Sequence, residues 1–120
     1  MPQKVSLAEK FASFDDTYSP KIAGELNGQY VKLVKFLGPF TWHRHDNEDE
    51  MFLVTKGSIK ILFRDHEVEL EEGDFCIVPR GVEHKPVADE VAHVVLFEPA
   101  ATLNTGNVRD EFTKEQLDRV

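Results

Sequence analysis

Residues 38–57 read Gly-Pro-Phe-Thr-Trp-His-Arg-His-Asp-Asn-Glu-Asp-Glu-Met-Phe-Leu-Val-Thr-Lys-Gly, and the fold turns on this stretch. His43 and His45 stand two apart in a run of β character. Side chains along a strand alternate between its faces, so both imidazoles point the same way. Glu50 opens the next β-rich run. The polar loop between them, Asp46, Asn47, Glu48 and Asp49, is short enough to reverse the chain and bring the Glu50 carboxylate beside the two rings. Two nitrogens and one oxygen on one face of a β-scaffold suit a metal ion. Histidines on a partly polar strand face also commonly do no more than hydrogen-bond to neighbours, so the pair needs corroboration from elsewhere in the chain.

On both sides the two-residue period continues. Residues 30–36, 40–45, 50–55, 58–63, 67–70, 74–78 and 91–97 are short runs rich in β-branched and aromatic residues, each of strand length. Between them stand Asn27-Gly28, Gly38-Pro39, Lys56-Gly57, Arg64-Asp65-His66, Glu72-Gly73-Asp74 and Pro79-Arg80-Gly81, which supply the positive or fixed φ of tight turns. Seven or more strands on short turns predict an all-β antiparallel sandwich or barrel over about residues 21–99. Parity from Glu50 turns Phe52 and Val54 inward, and Ile59, Ile61 and Phe63 can line the facing wall. The same parity turns Met51 and Leu53 outward. Apolar residues there call for cover by the N-terminal segment or a second chain, which favours a homodimer.

The two ends lose the alternation. Ser6 with Glu9 forms a capping box before Leu7, Phe11 and Phe14, predicting an amphipathic helix over about 6–14. Thr113 with Gln116, flanked by Phe112 and Leu117, predicts a second helix over about 114–119. No repeat or composition shift divides the chain, so residues 1–120 are read as one domain.

Acidic residues outnumber basic ones 22 to 14, a formal charge of -8, and no run of Lys or Arg offers a stripe for phosphates. Nucleic acid and anionic membrane are therefore poor partners. Cys76 is the only cysteine, and within Phe75-Cys76-Ile77-Val78 it reads as a small buried hydrophobe. No apolar run has the length of a signal peptide or a membrane span, which places the expected protein in the cytoplasm.

A second stretch supplies the corroboration. Residues 73–84 read Gly-Asp-Phe-Cys-Ile-Val-Pro-Arg-Gly-Val-Glu-His. The spacing Gly38-x4-His43-x-His45-x4-Glu50-x6-Gly57, followed by Gly73-x5-Pro79-x-Gly81-x2-His84, resembles the two signature motifs of the cupin superfamily. It looks most like the small single-domain cupins that resemble mannose-6-phosphate isomerase. Gly38 lies one residue nearer its histidine than is usual, and Ala88 stands where an asparagine is often found; neither is a ligand position.

The resemblance implies a jelly-roll barrel of two antiparallel sheets in which His43, His45, Glu50 and His84 bind one divalent metal. Three imidazoles and a carboxylate suit Zn, Ni, Mn, Fe, Co or Cu. An ion with open positions could act as a Lewis acid, acidify a bound water or, if redox-active, bind dioxygen. The expected function is a metal-dependent enzyme on a small oxygenated metabolite, isomerase-like or dioxygenase-like. The alternative is a binding module that holds metal and small ligand without turnover. His93 could face the cavity or be an ordinary hydrogen-bonded core histidine, and His66 reads as a solvated turn residue.

Overall fold

The computed structural model describes residues 2–120. Its elements are a helix α1 (Leu7–Ala12) and strands β1 (Lys21–Leu26), β2 (Gln29–Pro39), β3 (Glu50–Lys56), β4 (Ile59–Leu62), β5 (Glu67–Leu70), β6 (Phe75–Val78) and β7 (Lys85–Pro99). The strand order is β1-β2-β7-β3-β6, with β4 pairing β5 and β7, and every pairing between strands is antiparallel. β7 is the hub. Its first residues pair with β4 from Lys85 to Val87, and its later ones lie between β2 and β3. The two sheets of the expected jelly roll are thus joined into one folded sheet by a strand that runs through both.

Turn chemistry explains the reversals. Asn27 (φ 52°) and Gly28 (φ 76°) both sit at positive φ between Leu26 and Gln29, the requirement of a two-residue hairpin turn that matches strand twist. Gly57 (φ 80°) also sits at positive φ, in the short link between β3 and β4, which both pair antiparallel with β7. Inside the fold, alternate residues of four strands meet: Val34 and Phe36 from β2, Phe52 and Val54 from β3, Ile59 and Ile61 from β4, Val94 and Leu96 from β7. Each contributes about 1.5–3 kcal/mol by leaving water.

The N-terminal helix forms as its capping signal predicts, with Ser6 Oγ accepting from the Glu9 amide at 3.3 Å. It is shorter than expected, ending where Ser13 bonds back to the Lys10 carbonyl. Phe11 drops onto the outer face of the sheet against Leu33 and Val95, with Leu53 and Phe14 beside it. This is the cover that outward Leu53 requires.

Two expectations fail. Residues 40–45 are not a continuous strand; only His43 makes a bridge, to His84. The second helix, over 114–119, does not form. Its proposed cap, the Thr113 hydroxyl, is engaged with Thr105 and the Asp110 amide, and the Lys114 amide donates to Asn104 Oδ1. Phe112 packs on Tyr18 and Phe40 instead of stapling a helix. The tail then runs along the edge of β1, where the Ile22 amide donates to Asp118 O and the Val120 amide to Ile22 O. Backbone groups that a one-turn helix would leave half satisfied find full partners on an open strand edge.

Candidate metal centre

Two chain segments 41 residues apart are stitched together by their own backbone. The His43 amide donates to His84 O at 3.0 Å and the His84 amide to His43 O at 2.9 Å, while the Gly81 amide donates to His45 O at 2.8 Å. Gly81 (φ 82°) turns the chain after Pro79 so that His84 arrives opposite His43. Asp49 fastens the other loop by accepting from the Arg80 amide at 2.9 Å. Glu50, first residue of β3, pairs with Val78 and faces inward.

His43, His45, Glu50 and His84 are all buried, and one ligand-type atom from each lies within 4.8 Å of the others. All four residues proposed from the motifs therefore meet, and they could hold a metal ion. The hydrogen bonds fit that reading. His43 Nδ1 pairs with Thr41 O and His84 Nδ1 with Val82 O, both at 2.9 Å. Each ring thus donates away from the cluster and presents Nε2 to it, the arrangement that orients metal-bound imidazoles. Both nitrogens of His45 are buried without a hydrogen bond, although Nε2 lies 3.3 Å from Glu50 Oε1. His84 Nε2 is also 3.3 Å from that oxygen. A buried nitrogen without a partner costs about 1–3 kcal/mol, and an ion at the centre would satisfy it.

Electrostatics favour the same occupant. Burial, reinforced by His84, holds His43 down to about 4, so its ring is neutral at pH 7 and has a free lone pair. Burial alone would raise the Glu50 carboxyl, but the close approach of His45 and His84 holds it below the usual carboxylate range. The site thus offers a neutral His43 nitrogen and an anionic oxygen.

Beside it lies a cavity of about 20 Å³, walled by Tyr18, Phe36, Phe40, Phe52, His43 and Glu50 among others. The volume is room for one water-sized group. Trp42 lies away from this wall, under the Arg64 guanidinium at 3.8 Å. His93 does not reach the cavity; it stacks on Phe11 at 4.5 Å on the outer face. His66 is a half-exposed turn residue paired with Asp65.

Three features escaped the sequence reading. Tyr18, from the segment before β1, closes one end of the cavity, and its hydroxyl donates to Gly38 O. A strap after β7 lies on the His43–His45 segment: Asn107 accepts from the Arg44 amide at 2.8 Å and donates its own amide to Arg44 O at 2.9 Å. Lys32 and Glu98 are ionisable residues in the interior. Strand parity with Val34 and Leu96 could have revealed the last two, whereas nothing in the polar composition of 101–113 says where that strap lies.

Comparison with known proteins agrees with this geometry. A family model described as a cupin domain matches residues 37–98. The chain is 35% identical over 78 residues to the uncharacterized protein YdbB of Bacillus subtilis (strain 168), an alignment covering 64% of this chain and 63% of that protein's length. Among solved structures, a cupin-2 domain containing protein from Shewanella frigidimarina is 40% identical with a TM-score of 0.78, covering 79% of this chain and 93% of the other. Protein NMB1881 from Neisseria meningitidis is 27% identical with a TM-score of 0.75, covering 82% and 100%. The match is to the cupin domain as a whole and does not single out the branch resembling mannose-6-phosphate isomerase. With more than half of its residues inside the family model and both motifs meeting at one buried cluster, this chain belongs to the cupin family.

Proposed function

We propose that this protein binds one divalent transition metal through His43, His45, Glu50 and His84 and acts on a small, oxygen-bearing metabolite, by isomerisation or by oxidation with dioxygen. The observation that carries the metal is His45, whose two ring nitrogens are buried and unpartnered beside an ionised carboxylate. The ion would supply Lewis acidity or, if redox-active, a site for dioxygen. The chain's own residues supply the rest. His43 and His84 are locked by their Nδ1 contacts, and Tyr18, Phe36, Phe40 and Phe52 give the adjoining cavity a mostly apolar wall. Among the described residues lining the cavity Glu50 is the only acidic or basic one besides His43, which argues for an uncharged group of the substrate at the metal rather than a phosphate.

Elemental analysis of protein purified without added metal, followed by an oxygen-uptake screen with that metal restored, tests the reading. Stoichiometric iron with substrate-dependent uptake selects oxidation. A bound metal that turns over no oxygen leaves isomerisation or ligand binding alone, and protein that takes up no metal at all sinks the proposal. His45→Ala and His84→Ala should each lower metal occupancy at least about tenfold while the far-UV spectrum is retained, because the apolar core lies on other residues.

We further infer that the working form is a homodimer. β6 is an edge of the sheet, and its outer side chains Phe75 and Ile77 are 60% and 56% exposed next to Met51 of β3. On a chain of charge -8, an uncharged strip on an open edge is the place where two copies approach without repulsion, and a two-fold axis lets the same strip serve both. Sedimentation should give twice the chain mass, and Ile77→Glu should halve it. A free thiol at Cys76 suits a reducing compartment, and cell fractionation should place the protein in the cytoplasm.

A further inference from the structure

β2 and β7 bring a lysine and a glutamate into the barrel. Their register pairs Tyr30 with Glu98 and Lys32 with Leu96, and alternation sends Lys32 and Glu98 to the same side as Val34 and Leu96. Both side chains are 1% exposed. Lys32 Nζ stands 3.6 Å from Glu98 Oε1 and donates to the Thr102 carbonyl at 3.3 Å, at the root of the strap that lies over Arg44. Met51 pairs with Phe97 on antiparallel β3 and β7, so the next position of that register sets Glu98 opposite Glu50. Glu98 Oε2 is buried without a partner, and burial together with Glu50 pushes the Glu98 carboxyl up.

Such a pair is a poor stabiliser. Removing two charges from water costs several kcal/mol per ion, and apolar residues of similar volume are commonly as stable or more so. At positions flanked by Val34 and Leu96, leucine or methionine would serve the core at least as well. The placement therefore asks for a reason other than stability, and Glu50 provides one. Glu50 Oε1 is shared at 3.3 Å between His45 Nε2 and His84 Nε2. Two carboxyl groups side by side in an apolar interior repel unless one takes up a proton or a cation stands by; burial and Glu50 push the Glu98 carboxyl up, and one cation opposes them. Lys32 is that cation.

We propose that Lys32 and Glu98 are positioning residues of the metal centre: Lys32 anchors Glu98, and Glu98, packed against Glu50, fixes the rotation with which Glu50 meets the ion. The inference rests on the metal-binding reading above. Glu98 touches no substrate in this role and acts only through Glu50.

Cobalt(II) titration of the whole protein, read by ligand-field absorption and by dissociation constant, tests it. Glu98→Gln keeps the volume and removes the ionisable carboxyl; it should shift the cobalt bands and weaken binding by about tenfold or more. The double variant Lys32→Met/Glu98→Leu replaces both partners and should show the same shift with the fold retained. Cobalt bands that superimpose on wild type, with affinity within about twofold, would overturn the positioning role and leave a buried structural pair. Failure of both variants to fold would also overturn it by assigning the pair to the core. If the wild-type protein itself takes up no cobalt, the metal-binding reading falls and this inference falls with it, an outcome that the wild-type titration separates from the others.

Discussion

A methyl group at residue 106 has nowhere to go: it would overlap the Arg44 carbonyl oxygen and come 3.1 Å from His43 Cδ2, at a φ of +56° that side chains rarely adopt. Gly106→Ala should therefore cost about 2–3 kcal/mol in urea denaturation and loosen metal binding as well, because the strap it displaces rests on the ligand segment. His43 sets a pH dependence. In the metal-free protein its ring titrates at about 4, against 6.5 in the unfolded chain. As pH falls through 6.5 the unfolded state takes up the proton first, so stability is lost between 6.5 and 4, by about 3 kcal/mol for this one group. Denaturation of metal-stripped protein at pH 7 and pH 4.5 should show this loss, and His43→Phe should show less of it. The ligand residues were legible because their spacing resembles two known motifs; parity and loop length pointed only to His43, His45 and Glu50, and His84 came from the resemblance alone. Lys32 was legible by the same parity and was overlooked, since a lysine between valine and leucine reads first as the wet side of a strand.

Among the elements, the helix α1 is tied to the sheet by one side chain. Phe11→Ala should cost about 3–5 kcal/mol and release the helix from Leu33, Val95 and His93. Metal affinity should stay unchanged, since the ligands lie on the opposite face of the sheet; a thermal melt alongside a metal titration checks both halves. Short strands and their glycine turns could be read from sequence because period two and positive φ are local properties. The segment 40–45 has the composition of a strand yet pairs only at His43, because its neighbours are the turn at Gly81 and the strap at Asn107. The C-terminal tail carries a capping signal that is outcompeted by the free edge of β1, a long-range partner that no local pattern announces.

For the whole molecule, ligands drawn from segments 41 residues apart make the centre a property of the folded state alone. Metal at about a hundred times its dissociation constant should add about 2.7 kcal/mol to unfolding, and the melting temperature should rise with metal concentration. The family and the barrel were legible because both motifs punctuate the chain with glycines the turns need; the joining of two walls by one long strand was not, since β7 carries no mark of the bend between Ala88 and Ala92. That strand is also the last to be made. β2, β3 and β4 all hydrogen-bond to it, so a nascent chain on the ribosome holds three strands with open edges until Pro99 has emerged from the exit tunnel. Closure must then be a late, post-emergence event, and a chaperone that shields bare β-edges has its period of use between the emergence of residue 39 and that of residue 99.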